Sequence, residues 1–286
     1  MLGIIGLVIV FGCVIGGYMA MGGKLGVLMQ PFELVIIGGA AVGTFVLGNS
    51  MKVVKGASAG FGLAFKGSKY KKDDFLELLS MLYSVFKLAK TKGMLALEQH
   101  VENPHESSLF TQFPKFSGDH HAVEFLCDYL RLLTMGSENP HELEALLDEE
   151  LETHHEENHA ISHAIQTMAD ACPALGIVAA VLGVIKTMAS INEPPAILGG
   201  LIGAALVGTF LGILIAYGVF GPIANRVKEI HEADGKYLQA IKAGLVAHLQ
   251  GYAPAVSIEF ARKVLQSDVR PTFMEVEEAT GKLLPV

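Results

Sequence analysis

Apolar residues in this chain fall into four blocks, with one long polar stretch in the middle and another after the last block. Leu2–Met21 and Phe32–Leu47 are nearly unbroken runs of Gly, Ala, Val, Ile, Leu and Phe. Asp170 to Pro222 holds a second pair, Pro173–Ile185 and Gly199–Pro222. Each block reads as a helix crossing a bilayer, which takes roughly 20 mostly apolar residues. The polar stretch runs from Met51 to about Ser162. Met51 to Phe65 reads as a basic amphipathic helix lying at the membrane surface. Asp73 is the expected N-cap of the next helix, where Phe75, Leu78, Leu79, Leu82, Val85, Phe86 and Ala89 recur at helical spacing. Gly93 interrupts that helix, Met94 to Asn103 forms another turn or two, and a helix runs from about His121 to Met135. Pro140 opens a long acidic helix that continues into the third span. Beyond Pro222, Val227, Ile230, Tyr237, Ile241 and Leu245 keep the helical spacing until Gly251-Tyr-Ala-Pro254 breaks it. A short helix from Ala255 to Leu265 follows, and Glu275 to Glu278 reads as an exposed acidic tail.

The expected fold is therefore all-α: a polytopic membrane protein with four transmembrane helices and a helical cytoplasmic domain. The pattern divides the chain at 1–50 (spans one and two), 51–165 (cytoplasmic helices), 166–222 (spans three and four) and 223–286 (C-terminal cytoplasmic helices). Composition agrees. Of 286 residues, 51% are hydrophobic and the mean hydropathy is +0.44, too apolar for an ordinary soluble domain. The first 50 residues carry one base and one acid, Lys24 and Glu33. Of the 21 Lys and Arg, 11 lie between Met51 and Ser162 and 8 follow Pro222, which leaves Lys24 and Lys186 for the short loops. The positive-inside rule then puts both termini and the large loop in the cytoplasm. The net charge of −8 supplies no basic patch for nucleic acid. Cys13, Cys127 and Cys172 are too few and too scattered for a disulfide framework, and read as buried free thiols.

Candidate chemistry concentrates in the last apolar pair. Gly200, Ala204, Gly208 and Gly212 recur every four residues, and small residues at that spacing let membrane helices approach closely. The stripe either only packs helices or lines a pathway with Thr187, Thr209 and Tyr217, the few polar side chains at membrane depth. Pro173 and Pro222 bracket the pair, as ordinary helix-end prolines or as hinges. No Asp or Glu stands in the middle of any span, so a conducted proton would need a carboxylate from another chain. Glu33, Asp170, Lys186 and Glu193 read as anchors at headgroup level. Lys87, Lys90, Lys92 and Glu98 read as a solvated surface or as a charged contact for a partner. His155-Glu156-Glu-Asn-His159 matches the H-E-x-x-H pattern of zinc proteases. Its acidic, polar flanks and the lack of a third ligand favour a solvated helix face, so no catalytic, cofactor or metal site is expected.

Stretches along almost the whole chain carry a resemblance. They include Gly16-Gly-Tyr18, Gln30-Pro31, Leu34-Val-Ile-Ile-Gly38, Leu97-Glu98, Glu102-Asn-Pro104, Asp128-Tyr-Leu-Arg131, Glu144-Ala-Leu, Glu149-Glu150 and Glu152-Thr-His154. Pro173-Ala-Leu-Gly-Ile-Val-Ala-Ala180, Val207-Gly-Thr-Phe-Leu-Gly-Ile213, Ala216-Tyr-Gly218 and Gly251-Tyr-Ala-Pro254, with Glu259-Phe260 and Arg262-Lys263, are the strongest. In these the chain resembles the MotA family of flagellar motor stator proteins, within the MotA/TolQ/ExbB proton channels. The resemblance implies a bacterial inner-membrane subunit, not an enzyme, that forms a ring around a MotB-type single-span partner. That partner's membrane Asp carries the ion, expected to be a proton, and ion flow drives the rotor. It implies pathway or coupling positions at Pro173, Ala180, Thr209, Tyr217 and Pro222. It also implies contacts with a FliG-type rotor switch protein at Lys90 and Glu98, with Glu150 as an accessory charge. The family often has Arg at the Lys90 position, and Lys keeps that charge without the planar fork. A sodium-driven stator, an ExbB/TolQ-type energiser and, remotely, a zinc membrane protease at His155, Glu156 and His159 are the alternatives.

Overall fold

The structure, a computed structural model, describes residues 2–136 and 139–283. In chain order the helices are α1 (Leu2–Ala20), α2 (Leu25–Leu28), α3 (Pro31–Gly48), α4 (Met51–Lys66), α5 (Lys72–Lys92), α6 (Glu98–Glu102), α7 (Pro114–Ser117), α8 (His120–Thr134), α9 (Pro140–Ala189), α10 (Pro195–Ile215), α11 (Gly221–Leu249), α12 (Pro254–Lys263) and α13 (Phe273–Gly281). A π turn, Ala216–Phe220, joins α10 to α11. The described residues contain no strand. Four helical segments are long and apolar enough to cross a membrane: Gly3–Ala20, Leu25–Gly48, and stretches within Pro140–Ala189 and Pro195–Leu249. The fold is thus all-α with four spans.

The chain forms two compact units, residues 1–67 with 156–230 and residues 68–155 with 231–286. The division falls differently from the sequence pattern: residues 51–67, 156–165 and 223–230 group with the spans.

In the first unit, α4 explains that grouping. Ser50 caps its start, Gly67 at φ +89° ends it, and Ala57, Gly60 and Ala64 lie buried along one face. That small face meets Ile165 of α9 and Val227 of α11, both about fully buried. Lys52 pairs with Glu157, while Lys55 and Lys66 stay exposed. The helix is amphipathic and basic as expected, but its buried face rests on protein. A second cluster joins Ile37 and Ala41 of α3 to Met168, Cys172 and Ala179 of α9 and Ala216 of the π turn. The outer faces of the spans are apolar and exposed, as lipid contact demands. Cys13 lies there, exposed, whereas Cys127 and Cys172 are buried.

The second unit is a helical domain around α5. Its predicted apolar positions, Phe75 to Ala89, are all buried, packed with Leu126 and Leu130 of α8, Leu147 of α9, Tyr237, Ile241 and Leu245 of α11 and Ala261 of α12. The cap of α5 differs from expectation. The helix begins at Lys72, and Asp74 accepts from the Lys71 amide at 2.7 Å. Asp73 sits two residues too far in to cap, because Lys71 already takes the extended cap conformation. Glu275 to Glu278 is not a free tail either. Thr272 and Glu275 form a capping box that starts α13, and Glu275 pairs with Lys72 at 2.7 Å. That bond from Lys72 holds the Glu275 carboxyl down at about 2.

Asp119 ties the loop before α5 to α8. It is buried, accepts from Lys69 Nζ at 2.7 Å and from the Tyr70 hydroxyl, and caps α8 through Ala122. Tyr70 in turn stacks on buried Tyr237 at 4.0 Å between ring centroids. Burial alone would raise the Asp119 carboxyl, but the bonds from Lys69 and Tyr70 outweigh it and hold it below the usual range. A carboxyl with a depressed folded pKa stabilises the fold above its unfolded value, and that contribution disappears as pH falls through the folded one. Asp119→Asn should therefore destabilise the chain by about 1–3 kcal/mol at neutral pH, since the buried polar network loses its charge and one of two acceptor oxygens. Thermal unfolding of the purified chain in detergent checks this: the gap between wild type and variant should close below about pH 4, where the ordinary carboxylate range ends.

Candidate functional site

Spans α9 and α10 meet along small residues. A Cβ on Gly176 would stand 2.8 Å from the Gly208 carbonyl oxygen and 3.3 Å from Thr209 Cα. A Cβ on Gly212 would stand 2.6 Å from the Cys172 carbonyl oxygen, and one on Gly183 would stand 2.6 Å from Ala205 Cβ. The two backbones are in direct contact, which only glycine allows at Gly176 and Gly212. The contact follows Ala205, Gly208 and Gly212. Gly200 has open space around it, and Ala205 rather than Ala204 meets Gly183. Geometry explains the offset: at 3.6 residues per turn, steps of four drift around the helix by about 40° each, so alternating steps of three and four hold one face.

Thr209 and Ala180 lie half-buried at this contact, and the Ala180 amide stands 3.3 Å from where a Gly208 Cβ would be. Thr187 is buried, but its hydroxyl donates to the Gly183 carbonyl of its own helix at 2.8 Å. Glu33 enters the site from α3. A Cβ on Gly208 would stand 3.0 Å from Glu33 Oε2, and that buried oxygen has no hydrogen-bond partner among the described residues. The expected headgroup anchor is therefore a carboxyl at the middle of the neighbouring pair. By contrast, Asp170 is exposed and accepts from Gln166 at 2.8 Å, and Lys186 and Glu193 are exposed.

Both bracketing prolines fall inside helical paths. Pro173 lies within α9, so the Ala169 carbonyl loses its usual donor. Pro222 follows the π turn, where the Gly221 amide reaches back to the Ala216 carbonyl. The wider turn makes room for the proline ring that a regular helix would exclude. Tyr217 projects from that turn, 69% exposed.

The charged residues expected at a rotor contact belong to the second unit. Lys90 ends α5 and Glu98 begins α6, both exposed, and the turn between them uses Gly93 at φ +85°. Neither makes an ion pair among the described residues, and Leu95 stands exposed between them. Glu150 is differently placed: it is half-buried and accepts from the Tyr129 hydroxyl at 2.6 Å. His155 borders a groove of about 590 Å³ with Glu152 and Lys242. Among the described residues no three His, Cys, Asp or Glu side chains gather as a metal site, at His155 and His159 or elsewhere.

Sequence profiles place the chain. That of the motility protein A N-terminal region matches residues 4–93, and that of the MotA/TolQ/ExbB proton channel family matches residues 119–240. Motility protein A of Salmonella typhimurium is 45% identical over 278 residues, covering 97% of this chain and 94% of that protein. The chain belongs to the motility protein A family. Two solved structures share its fold. One, the flagellar MotAB stator complex from Bacillus subtilis, aligns at TM-score 0.70 and 26% identity, over 90% of this chain and 92% of that one. The other, C. jejuni MotAB, aligns at TM-score 0.76 over 93% and 96%, and at 22% identity speaks for the fold alone. Within this motility protein A fold, Gly176, Gly183, Ala205 and Glu33 are the contact residues that pattern reasoning passed over. The signal for the first two was present, since Gly176, Ala179 and Gly183 form a small stripe of their own.

Gly208→Leu should separate α9 from α10 and displace Glu33, because the cavity it would need is filled; overpacking of this kind costs roughly 1–3 kcal/mol or more. Gly200→Leu should leave the contact intact. Crosslinking yield between cysteines placed on the two helices, compared for both variants, checks this. Equal yields would show that the contact does not depend on Gly208.

Proposed function

We propose that this chain is the multi-span subunit of a flagellar motor stator, conducting protons together with a MotB-type single-span partner and turning ion flow into torque. The observation that carries it is the close α9–α10 contact, flanked by Pro173 and by the π turn at Pro222. Helices that touch through small residues have no interlocking side chains to hold their register, so a partner span packed beside them can shift one against the other. The family membership supports the reading, as does the likeness to the solved stator complex from Bacillus subtilis. The ion is taken as a proton because the matching family is described as one of proton channels.

In this reading several copies of the chain ring the partner's span in the bacterial inner membrane, with both termini in the cytoplasm. Protonation of the partner's carboxylate removes a charge from a low-dielectric site and changes its packing against Ala180 and Thr209, the half-buried residues at the edge of the contact. Pro173 and Pro222 let α9 and α11 bend in response, because each interrupts the helical ladder. Tyr217 projects from the same π turn. The cytoplasmic helices then move Lys90 and Glu98 against a rotor switch protein, the opposite charges setting encounter and register. Glu150, held by Tyr129, contributes mainly to the shape of that surface.

Rotation of tethered cells lacking their own stator tests this. Rotation should require both this chain and its partner and should ignore sodium at fixed pH. Rotation that tracks sodium would overturn the ion, and co-assembly without rotation would overturn the motor. Lys90→Glu should leave assembly unchanged and lower swimming speed several-fold, with partial recovery when the rotor surface carries a compensating charge. Stall torque measured in single motors reads the effect.

A further inference from the structure

Glu33 is the one acid of the first 50 residues, and the contact it makes is unusual. It sits in the first turn of α3, where an acid ordinarily stabilises the helix N-terminus. Its Oε2, however, turns away from the α3 backbone amides and makes no hydrogen bond to them. The oxygen instead lies buried 3.0 Å from where a Gly208 Cβ would stand, a point that is also 3.0 Å from Ala179 Cβ and 3.3 Å from the Ala180 amide nitrogen. Ala180 stands about two and a half turns, or ~13 Å, before the end of α9 at Ala189. The carboxyl is thus well inside the apolar pair. The charges that face it are few. From α9, Lys186 acts on it electrostatically. From α10, Pro195–Ile215, no charged residue faces it, because that segment has none. α3 carries no other charged residue. Thr209 is the nearby polar side chain on α10.

An ionisable group at such depth needs a counter-charge or a proton. Lys186 is exposed near the end of its helix and makes no ion pair with Glu33. We propose that Glu33 is a proton-uptake site of this chain, a carboxyl at the middle of the α9–α10 contact that takes up a proton arriving from outside and passes it inward. The step is a simple transfer: the carboxylate takes a proton from a hydronium ion of the outer water, which is left as water, and becomes a carboxylic acid, then releases the proton to a water or carboxylate on the inner side and regains its charge. A negative group in a low-dielectric cleft raises the local concentration of cations, and this matters most when bulk protons are scarce. Gly208 is glycine, on this view, because the carboxyl occupies the volume a side chain would take. The proposal rests on the proton-conducting reading above.

The test is Glu33→Gln, which keeps the size and polarity of the side chain but cannot exchange a proton, alongside Glu33→Asp, which can. Both are expressed with the MotB-type partner, and motor speed at low load is measured across external pH at constant proton-motive force. Glu33→Gln should assemble normally and match wild type in acid, yet run about tenfold slower at alkaline external pH, the lower end of the effect that local cation focusing supplies. Glu33→Asp should retain the wild-type pH profile in part. Equal speeds for wild type and Glu33→Gln at every pH would overturn the proposal. A second measurement covers a Glu33→Gln chain that fails to assemble. Infrared difference spectra on acidification are taken for the wild-type chain in complex with a partner whose own membrane carboxylate is replaced by an amide. A protonated-carboxyl band that disappears on Glu33→Asp or shifts with it assigns the site, and absence of any such band overturns it. This readout needs no rotation. A motor that tracked sodium would thus defeat the proton reading, while the spectrum would still decide whether Glu33 takes up a proton.

Discussion

Backbone contact between α9 and α10 is the constraint from which the rest of the membrane unit follows. Lipid offers no hydrophobic reason for two apolar helices to associate, so close van der Waals packing must supply it. Gly176, Gly208 and Gly212 remove the side chains that would hold the helices apart, with contacts as short as 2.6 Å to a virtual Cβ. Once the two backbones touch, everything beside them is placed: Ala180 and Thr209 at the seam, Glu33 in the notch of Gly208, and Ala216 of the π turn against α3. The two prolines then stand where each helix is weakened near this rigid seam.

The second unit is held by different physics. Its core is ordinary water-driven burial around Phe75, Phe86 and Tyr237, each about fully inaccessible. Its polar buried groups are paired. Arg262 forms a two-pronged bond to Glu259, at 2.6 Å each, and donates to the Pro271 carbonyl at 2.9 Å. That fork fixes the chain that leads from α12 to α13. His248 is the exception: it stacks on Phe86 at 4.7 Å, its Nδ1 has no hydrogen-bond partner among the described residues, and burial together with Lys90 pushes its imidazole below the usual range. A neutral ring at that place packs as an aromatic residue. The rigid core behind α5 gives Lys90 and Glu98 a firm base, while Gly93 lets the chain turn sharply between them.

Which parts were legible in the amino-acid order follows from range. The spans, the α5 face and the run of α9 from Pro140 into the membrane were all readable, because hydropathy and helical period are local properties. So was the end of α5 at Gly93, whose left-handed backbone suits glycine. Readings that failed concerned who meets whom. Asp73 looked like a cap by type, yet the turn began at Lys71. Glu275 looked like a solvated tail, yet a capping box and Lys72, some 200 residues away in sequence, hold it in place. Cys13 was expected to be buried, but a span buries one face and leaves the other to lipid.

The sequence by itself determined the class of molecule: four apolar segments, two polar helical stretches and an asymmetry of positive charge, all sums over neighbouring residues. Tertiary structure alone decided the site. Whether Gly200 or Ala205 joins the seam depends on the rotation of α10 against α9, and no property of either helix taken singly sets that angle. Glu33 shows the same limit more sharply. Counted along its own helix it lies at the first turn, near the membrane boundary. The way α3 packs against the taller pair of α9 and α10 carries its carboxyl to their middle, because depth in a membrane belongs to the assembled bundle and not to position in the chain.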